Sequence, residues 1–390
     1  RPTLPKMKIP TLRVLLVATI YSLTSCQTPM ATKSTNWPHF RGSALHSGAL
    51  ESARPIVNPE LVWSFDAGGT IESSPTVIGG IVYCGTFADH LFAIDAESGQ
   101  ERWRFKVDGL VRASPSVVEG LVYFGADDDR FYALNADTGE ERWSIKLGGG
   151  GEQSSPAIVD GVCYFGAFDH MVYAVDAETG ALVWKFETEG EILSSPAVVA
   201  GLLAIGSRDG NVYGLEAETG KERWRFETGD TVWSSPAIND GLVFCGSDDR
   251  NVYAIDAQTG KERWRFGTSG TVFSSPSISS ADGVLYVGSD DHHLYALACE
   301  DGAERWRTDL GGRVLGSAAI VESQLFVGGE GSGGDKPGAM FAVNREDGAI
   351  LWRYEIGATV WSSPTVVGDS MWFGAHDGLL RRLKSSAAHH

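Results

Sequence analysis

Positive charge is scarce in this sequence: 32 Lys plus Arg stand against 50 Asp plus Glu, a net charge of −18 over 390 residues. Arg1, Lys6, Lys8 and Arg13 are four of the 32, and no acid lies before residue 26, so the remainder carries 28 against 50, or −22. A body this acidic repels phosphate backbones, which argues against general nucleic-acid binding. Cysteine is rare too. Of the five, no two adjoin and no Cys-x-x-Cys-His occurs, which argues against an attached c-type haem. The apolar run Val14 to Tyr21 is too short to cross a bilayer as a stable helix.

What is abundant is repetition. The stretch from Ser234-Ser235-Pro236 to Glu262-Arg263-Trp264-Arg265-Phe266 is one unit, and close copies of it fill most of the chain. Inside it, apolar alternations (Leu242-Val243-Phe244, then Asn251 to Asp256) are parted by Asp-Gly, Asp-Asp and Thr-Gly. That is strand and turn chemistry with no helical period. The unit predicts four short strands, A at the Ser-Pro, B, C, and D carrying the Trp.

Tryptophan recurs at Trp63, Trp103, Trp143, Trp184, Trp224, Trp264, Trp306 and Trp352, spaced 40, 40, 41, 40, 40, 42 and 46. The extra residues fall in turns. Ser-Pro recurs seven times, from Ser74-Pro75 to Ser363-Pro364, with Ser317-Ala318 as the degenerate eighth copy. The two series are offset: Leu61 to Phe65 precedes any A strand, and the last unit stops after its C strand, Leu379 to Leu383. A ring resolves this, with the first Trp strand completing the last unit. A 40-residue period of four strands is the signature of a β-propeller, here all-β with eight four-stranded antiparallel blades, and closure removes open sheet edges.

The chain opens as a secretory leader does, with Lys8 and Arg13, the apolar run, then small residues. Leu23-Thr24-Ser25-Cys26 resembles the lipobox of bacterial lipoproteins. That resemblance implies cleavage before Cys26, lipid on its thiol, and an envelope location; Gln27 follows, with no Asp there to argue for inner-membrane retention. The expected divisions are 1–25 leader, 26–59 lipidated cysteine and tether, 60–384 ring and 385–390 tail. Cys84, Cys163, Cys245 and Cys299 fall in separate units. A disulfide needs Cα atoms within about 7 Å, so they are expected as buried free thiols.

Ala254-Ile255-Asp256-Ala257-Gln258-Thr259-Gly260-Lys261-Glu262-Arg263-Trp264, with copies from Ala93, Ala133 and Ala174 and looser ones from Gly214, Ala296 and Ala342, is similar to the tryptophan-docking motif of PQQ-like propeller repeats. Quinoprotein dehydrogenases and the BamB-like outer-membrane assembly lipoproteins share that motif. The resemblance spans Leu61 to Lys384 and makes the eight Trp inter-blade docking residues, with none expected to be catalytic. Gly of Thr-Gly supplies the positive-φ turn position, and the Asp caps that turn.

Two residues before each A-strand serine the repeat stops being uniform: Glu72, Arg112 (before Ala113), Gln153, Leu193, Trp233, Phe273, Leu315 and Trp361. Variable positions on a uniform frame are where recognition is encoded, so these eight are the candidate binding residues at the mouth of the ring, with Trp233, Phe273 and Trp361 expected as an apolar arc. The Asp-rich B-to-C turns read as solvated turns. His292-His293 beside Asp290-Asp291 lacks a metal-ligand spacing, because adjacent strand residues face opposite ways; no metal is expected. Gly329 to Gly334 matches G-x-G-x-x-G without the helix that cradles a phosphate.

The BamB-like resemblance implies a monomeric, non-enzymatic scaffold. It would be lipid-anchored at the outer membrane, face the periplasm and bind envelope proteins, among them a barrel-assembly protein. In that family charged residues in D-to-A turns meet the partner, where this chain has Ile192-Leu193 and Val232-Trp233. The alternative is a PQQ-dependent dehydrogenase, whose pocket typically has adjacent cysteines and a calcium site; the sequence lacks the cysteine pair, and no cofactor is expected. A small-molecule or glycan sensor using the aromatic arc is the third reading. Mass spectrometry of the mature protein is expected to find Cys26 first and lipid-modified; an unmodified Cys26 would contradict the anchor.

Overall fold

The computed structural model describes residues 40–43, 48, 53–149, 154–331 and 338–386. The chain divides into Arg1–Thr32, which holds the leader and Cys26 and lies outside the described residues, and Lys33–His390, which holds everything below.

Eight four-stranded antiparallel sheets make up the second unit. In blade 1 the strands are A Thr76–Ile78, B Ile81–Gly85, C His90–Asp95 and D Glu101–Lys106, and the same order repeats through blade 7. Strand A is short and buried. Strand D alternates exposed and half-buried positions, as an outer strand with one face against a neighbour must. Each C–D ladder carries one bulge beside its Trp: Ala93 faces Trp103 and Ile94 faces Glu101, leaving Arg102 over.

The bulged tryptophan is the outer joint between blades. Trp224 Nε1 donates to Ala257 O of the next blade at 2.9 Å, and its ring lies against Gly260. A Cβ on Gly260 would sit 2.6 Å from that ring, and its φ is +68°, so both the turn and the docked indole require glycine there. Burying an indole is a large apolar gain, and the hydrophobic clusters accordingly lie between blades: Tyr83 of blade 1 packs with Phe124 and Tyr132 of blade 2.

The inner joint is a circle of serines. Ser74 N donates to Ser114 Oγ, and the same bond runs Ser114 to Ser155, Ser195, Ser235, Ser275, Ser317 and Ser363, at 2.9–3.2 Å. Ser363 N then donates to Ser74 Oγ at 2.9 Å, closing the circle across 289 residues.

Blade 8 has the composite form expected. Strand β1 (Pro59–Asp66) pairs antiparallel with Leu379–Ser385, which continues to Ser370–Gly374 and Thr365–Val367. Trp63 faces Arg382, and its Nε1 donates to Ala96 O of blade 1. This blade has no Thr-Gly turn to receive Trp352 of blade 7. Ile56 O, just ahead of β1, takes the Trp352 Nε1–H at 2.7 Å instead. Ile56 and Ala53 are fully buried with Phe326, Met340 and Phe373, and Arg54 N donates to Gly368 O. Farther back, Gly48 O accepts from Ile320 N on the inner strand of blade 7. The residues before β1 are therefore part of the ring's packing, a placement the sequence left open.

All four cysteines of the ring are buried thiols outside any disulfide, as expected, and burial pushes the Cys84 thiol up to about 12.

Deleting residues 58–66 removes an outer strand and its indole. The half-buried Trp63 and a whole strand ladder to Leu379–Ser385 are lost together, so the deletion is expected to lower the melting temperature sharply and broaden the transition. Melting identical to the full chain would contradict closure by β1.

Candidate functional site

Strand direction alternates within a blade, so D-to-A and B-to-C turns open on one face. There they surround a cavity of about 630 Å³ whose floor is the serine circle. Glu72, Arg112, Leu193, Trp233, Phe273, Leu315 and Trp361 all line it, one from each of seven blades. Gln153, the candidate from blade 3, lies outside the described residues, as do 332–337 of the glycine-rich turn. Phe40 lines the same cavity.

The B-to-C turns, read from sequence as merely solvated, split into two roles. In five blades the third residue after the B-strand glycine is an Asp that accepts the hydroxyl of the tyrosine four residues on, as in Asp209–Tyr213 at 2.8 Å and Asp291–Tyr295 at 2.7 Å. The same Asp accepts a backbone N–H from the preceding D-to-A turn, Glu189 to Asp209 and Ser269 to Asp291. These carboxylates brace the turns.

The second residue after that glycine takes five identities over the eight blades: Phe87, Asp127, Phe168, Arg208, Asp248, Asp290, Glu330 and His376, and Asp248 and Asp290 line the cavity. Sequence reasoning missed this set, although the variability that singled out the D-to-A positions applies to it equally. The two sets interlock. Arg112 Nε donates to Asp127 at 2.9 Å, with its guanidinium 4.8 Å over Phe87. Trp233 Nε1 donates to Asp248 Oδ2 at 2.9 Å. Its ring lies between the Arg208 guanidinium at 5.1 Å, itself paired with Glu191, and Phe273 at 5.4 Å. Arg313 grips Glu330 through two hydrogen bonds of 2.6 and 2.9 Å, and Trp361 Nε1 donates to the same carboxylate at 2.9 Å. His376 stands 4.8 Å from the Trp361 ring and 3.4 Å from Glu72 Oε1.

Trp233 and Phe273 are in contact, Leu315 and Trp361 line the same cavity, and the N–H of each half-buried indole is tied to a carboxylate. The Asp248 carboxyl is raised above the ordinary range, chiefly by burial and further by Asp230, Asp290 and Asp249, against the lowering effect of the Trp233 hydrogen bond.

Among the described residues no three His, Cys, Asp or Glu side chains converge as a metal site. His293 turns its Nδ1 to its neighbour Asp291. PQQ, the cofactor associated with this repeat type, is a planar tricarboxylate. Both arginines of the described cavity wall already hold carboxylates, Asp248 and Asp290 add negative charge, and no cysteine is among the described lining residues, so this lining suits such an anion poorly.

Residues 161–390 match the family described as the β-propeller of the beta-alanine-activating enzyme, and residues 56–167 match the outer membrane protein assembly factor BamB. No curated protein matches the sequence. Among solved structures, BamB from Moraxella catarrhalis is similar at 17% identity and a TM-score of 0.70, covering 84% of this chain and 99% of that one. A europium-containing methanol dehydrogenase reaches 13% and 0.77, covering 90% and 98%. The quinohemoprotein alcohol dehydrogenase from Comamonas testosteroni reaches 15% and 0.76, covering 92% and 82%. At such identities the likeness is one of fold. With eight repeats of this type and a match over more than half its length, the chain belongs to the β-propeller family described for the beta-alanine-activating enzyme, within the PQQ-like, BamB-like propellers.

Proposed function

We propose that this chain is a binding propeller of the bacterial envelope, lipid-anchored through Cys26, that holds another envelope protein at its cavity face. The observation that carries the reading is the convergence of seven variable side chains from seven blades on one cavity over a uniform, closed frame. Uniform positions serve the ring, so the variable ones are free to encode a partner. Their arginines and indoles are fixed in advance by carboxylates, which lowers the ordering cost of binding, and Trp and Arg are the residues that most often anchor interfaces.

The match to an outer membrane protein assembly factor favours a partner of the barrel-assembly machinery. The apolar Leu193 and Trp233, in turns where the BamB-like pattern has charged residues, predict a contact more apolar than that pattern. A quinoprotein reading draws on the fold likeness to the dehydrogenases but finds little support in a lining that carries unbalanced carboxylates.

Affinity purification of the lipidated protein from detergent-solubilised native membranes tests this. The expected result is co-purification of the barrel-insertion protein with the wild type, and loss of at least about tenfold with Trp233→Ala/Trp361→Ala, whose cooperative melting transition shows that the ring still folds. A wild type that never retains the barrel-insertion protein would contradict the assignment, as would equal retention by the double variant.

A further inference from the structure

At the cavity mouth each arginine is matched by a carboxylate, whereas between blades 5 and 6 two carboxylates stand together without a cation of their own. Arg112 is matched by Asp127, Arg208 by Glu191 and Arg313 by Glu330. Asp248 receives the neutral Trp233 N–H. Asp290 receives the Thr271 hydroxyl at 2.8 Å, and the nearest cation, Arg313 Nη1, stands 3.8 Å away while engaged with Glu330. The Oδ1 of Asp290 is shut off from solvent and has no hydrogen-bond partner. Two carboxylates from adjacent blades thus share one wall of the cavity with a neutral donor on each and, on Asp290 alone, one edge of an arginine already engaged by Glu330, an excess of negative charge that costs free energy until a further positive charge joins it.

The surroundings define that charge. Trp233 and Phe273 form the apolar part of the wall, and aromatic faces beside carboxylates favour organic cations. Below them, Ser235 and Ser275 are more than nine-tenths buried; each Oγ accepts one backbone N–H, and neither hydroxyl proton is given to an acceptor among the described residues. The floor therefore offers polar contacts to an occupant or its water. No third metal ligand joins the two carboxylates among the described residues, which favours a cation bringing its own N–H donors. The volume, about 630 Å³, falls within the range of small-molecule sites.

We propose that Asp248 and Asp290, with Trp233 and Phe273, form a site for an organic cation carrying N–H donors, an alkylammonium or guanidinium group. The inference rests on the reading of this face as a binding face and specifies its chemistry. The same group is presented by a free amine and by a Lys or Arg side chain of a docked protein. Binding places its N–H donors on the cavity-lining carboxylates of Asp248 and Asp290.

Calorimetric titration of the full chain with n-hexylammonium, hexan-1-ol and hexanoate, each of similar length, is the test. The expected result is saturable binding of the ammonium at least about tenfold tighter than the alcohol, and none of the carboxylate. In Asp248→Asn/Asp290→Asn, which keeps acceptors for the Trp233 and Thr271 donors, the ammonium is expected to lose about tenfold or more with the melting temperature unchanged or raised. No saturable ammonium binding, equal binding of ammonium and alcohol, or unchanged binding by the double variant would each overturn the proposal. The same variant in the membrane purification separates the sources: loss of the partner identifies a Lys or Arg side chain, and retention of the partner with loss of the amine identifies a free ligand. A wild type that binds ammonium but captures no partner overturns the scaffold reading and leaves this site standing.

Discussion

The circle of eight serine hydroxyls is the constraint on which the rest of the ring depends. Each Oγ accepts the backbone N–H of the serine one blade earlier, and the last bond joins Ser363 to Ser74. These serines are nearly fully buried, so removing one hydroxyl strands a backbone donor at a cost of about 1–3 kcal/mol. The circle fixes how far apart neighbouring blades stand at the axis, and therefore the width of the cavity whose floor it forms. It also explains the uniformity of the Ser-Pro position: eight blades use the same bond, and each hydroxyl serves its neighbour.

The tryptophans perform the corresponding task at the outer edge, each indole N–H reaching one blade onward. Two joints per interface, one polar at the axis and one largely apolar outside, hold each blade against rotation about either. The device meets its exception at blade 8, whose outer strand comes from the start of the ring. No ordinary turn exists there to receive Trp352, and Ile56 O fills the vacancy. The segment before β1 thus contributes to closure itself, with Ala53 and Ile56 in the last interface.

The fold was legible because each joint writes the same letters every 40 residues: Trp264 with the Gly302 it packs on, and Ser235 with the Ser275 it bonds. The offset of the first Trp strand gave the composite blade. The D-to-A half of the candidate site could be read in the same way, because Trp233 and Phe273 break a regular pattern. The B-to-C half could not be read, since Asp248 and Asp249 are adjacent and chemically identical. Only the structure separates the one that faces the cavity from the one that braces Tyr253. Glu330 was hidden for another reason: it sits in a glycine-rich turn that resembles a phosphate loop, yet its side chain turns back to Arg313 and Trp361.

Rigidity and recognition are thereby assigned to different positions of one repeat, and the account stands on the ring being a single closed unit. Amide hydrogen exchange at Ser74, Ser114, Ser155, Ser195, Ser235, Ser275, Ser317 and Ser363 tests that most directly. If the circle is closed, all eight amides exchange together in the slowest class, at the rate of global unfolding. Earlier exchange at Ser317 and Ser363, whose bonds join the composite blade to its two neighbours, would mean that the ring opens there and would contradict the account.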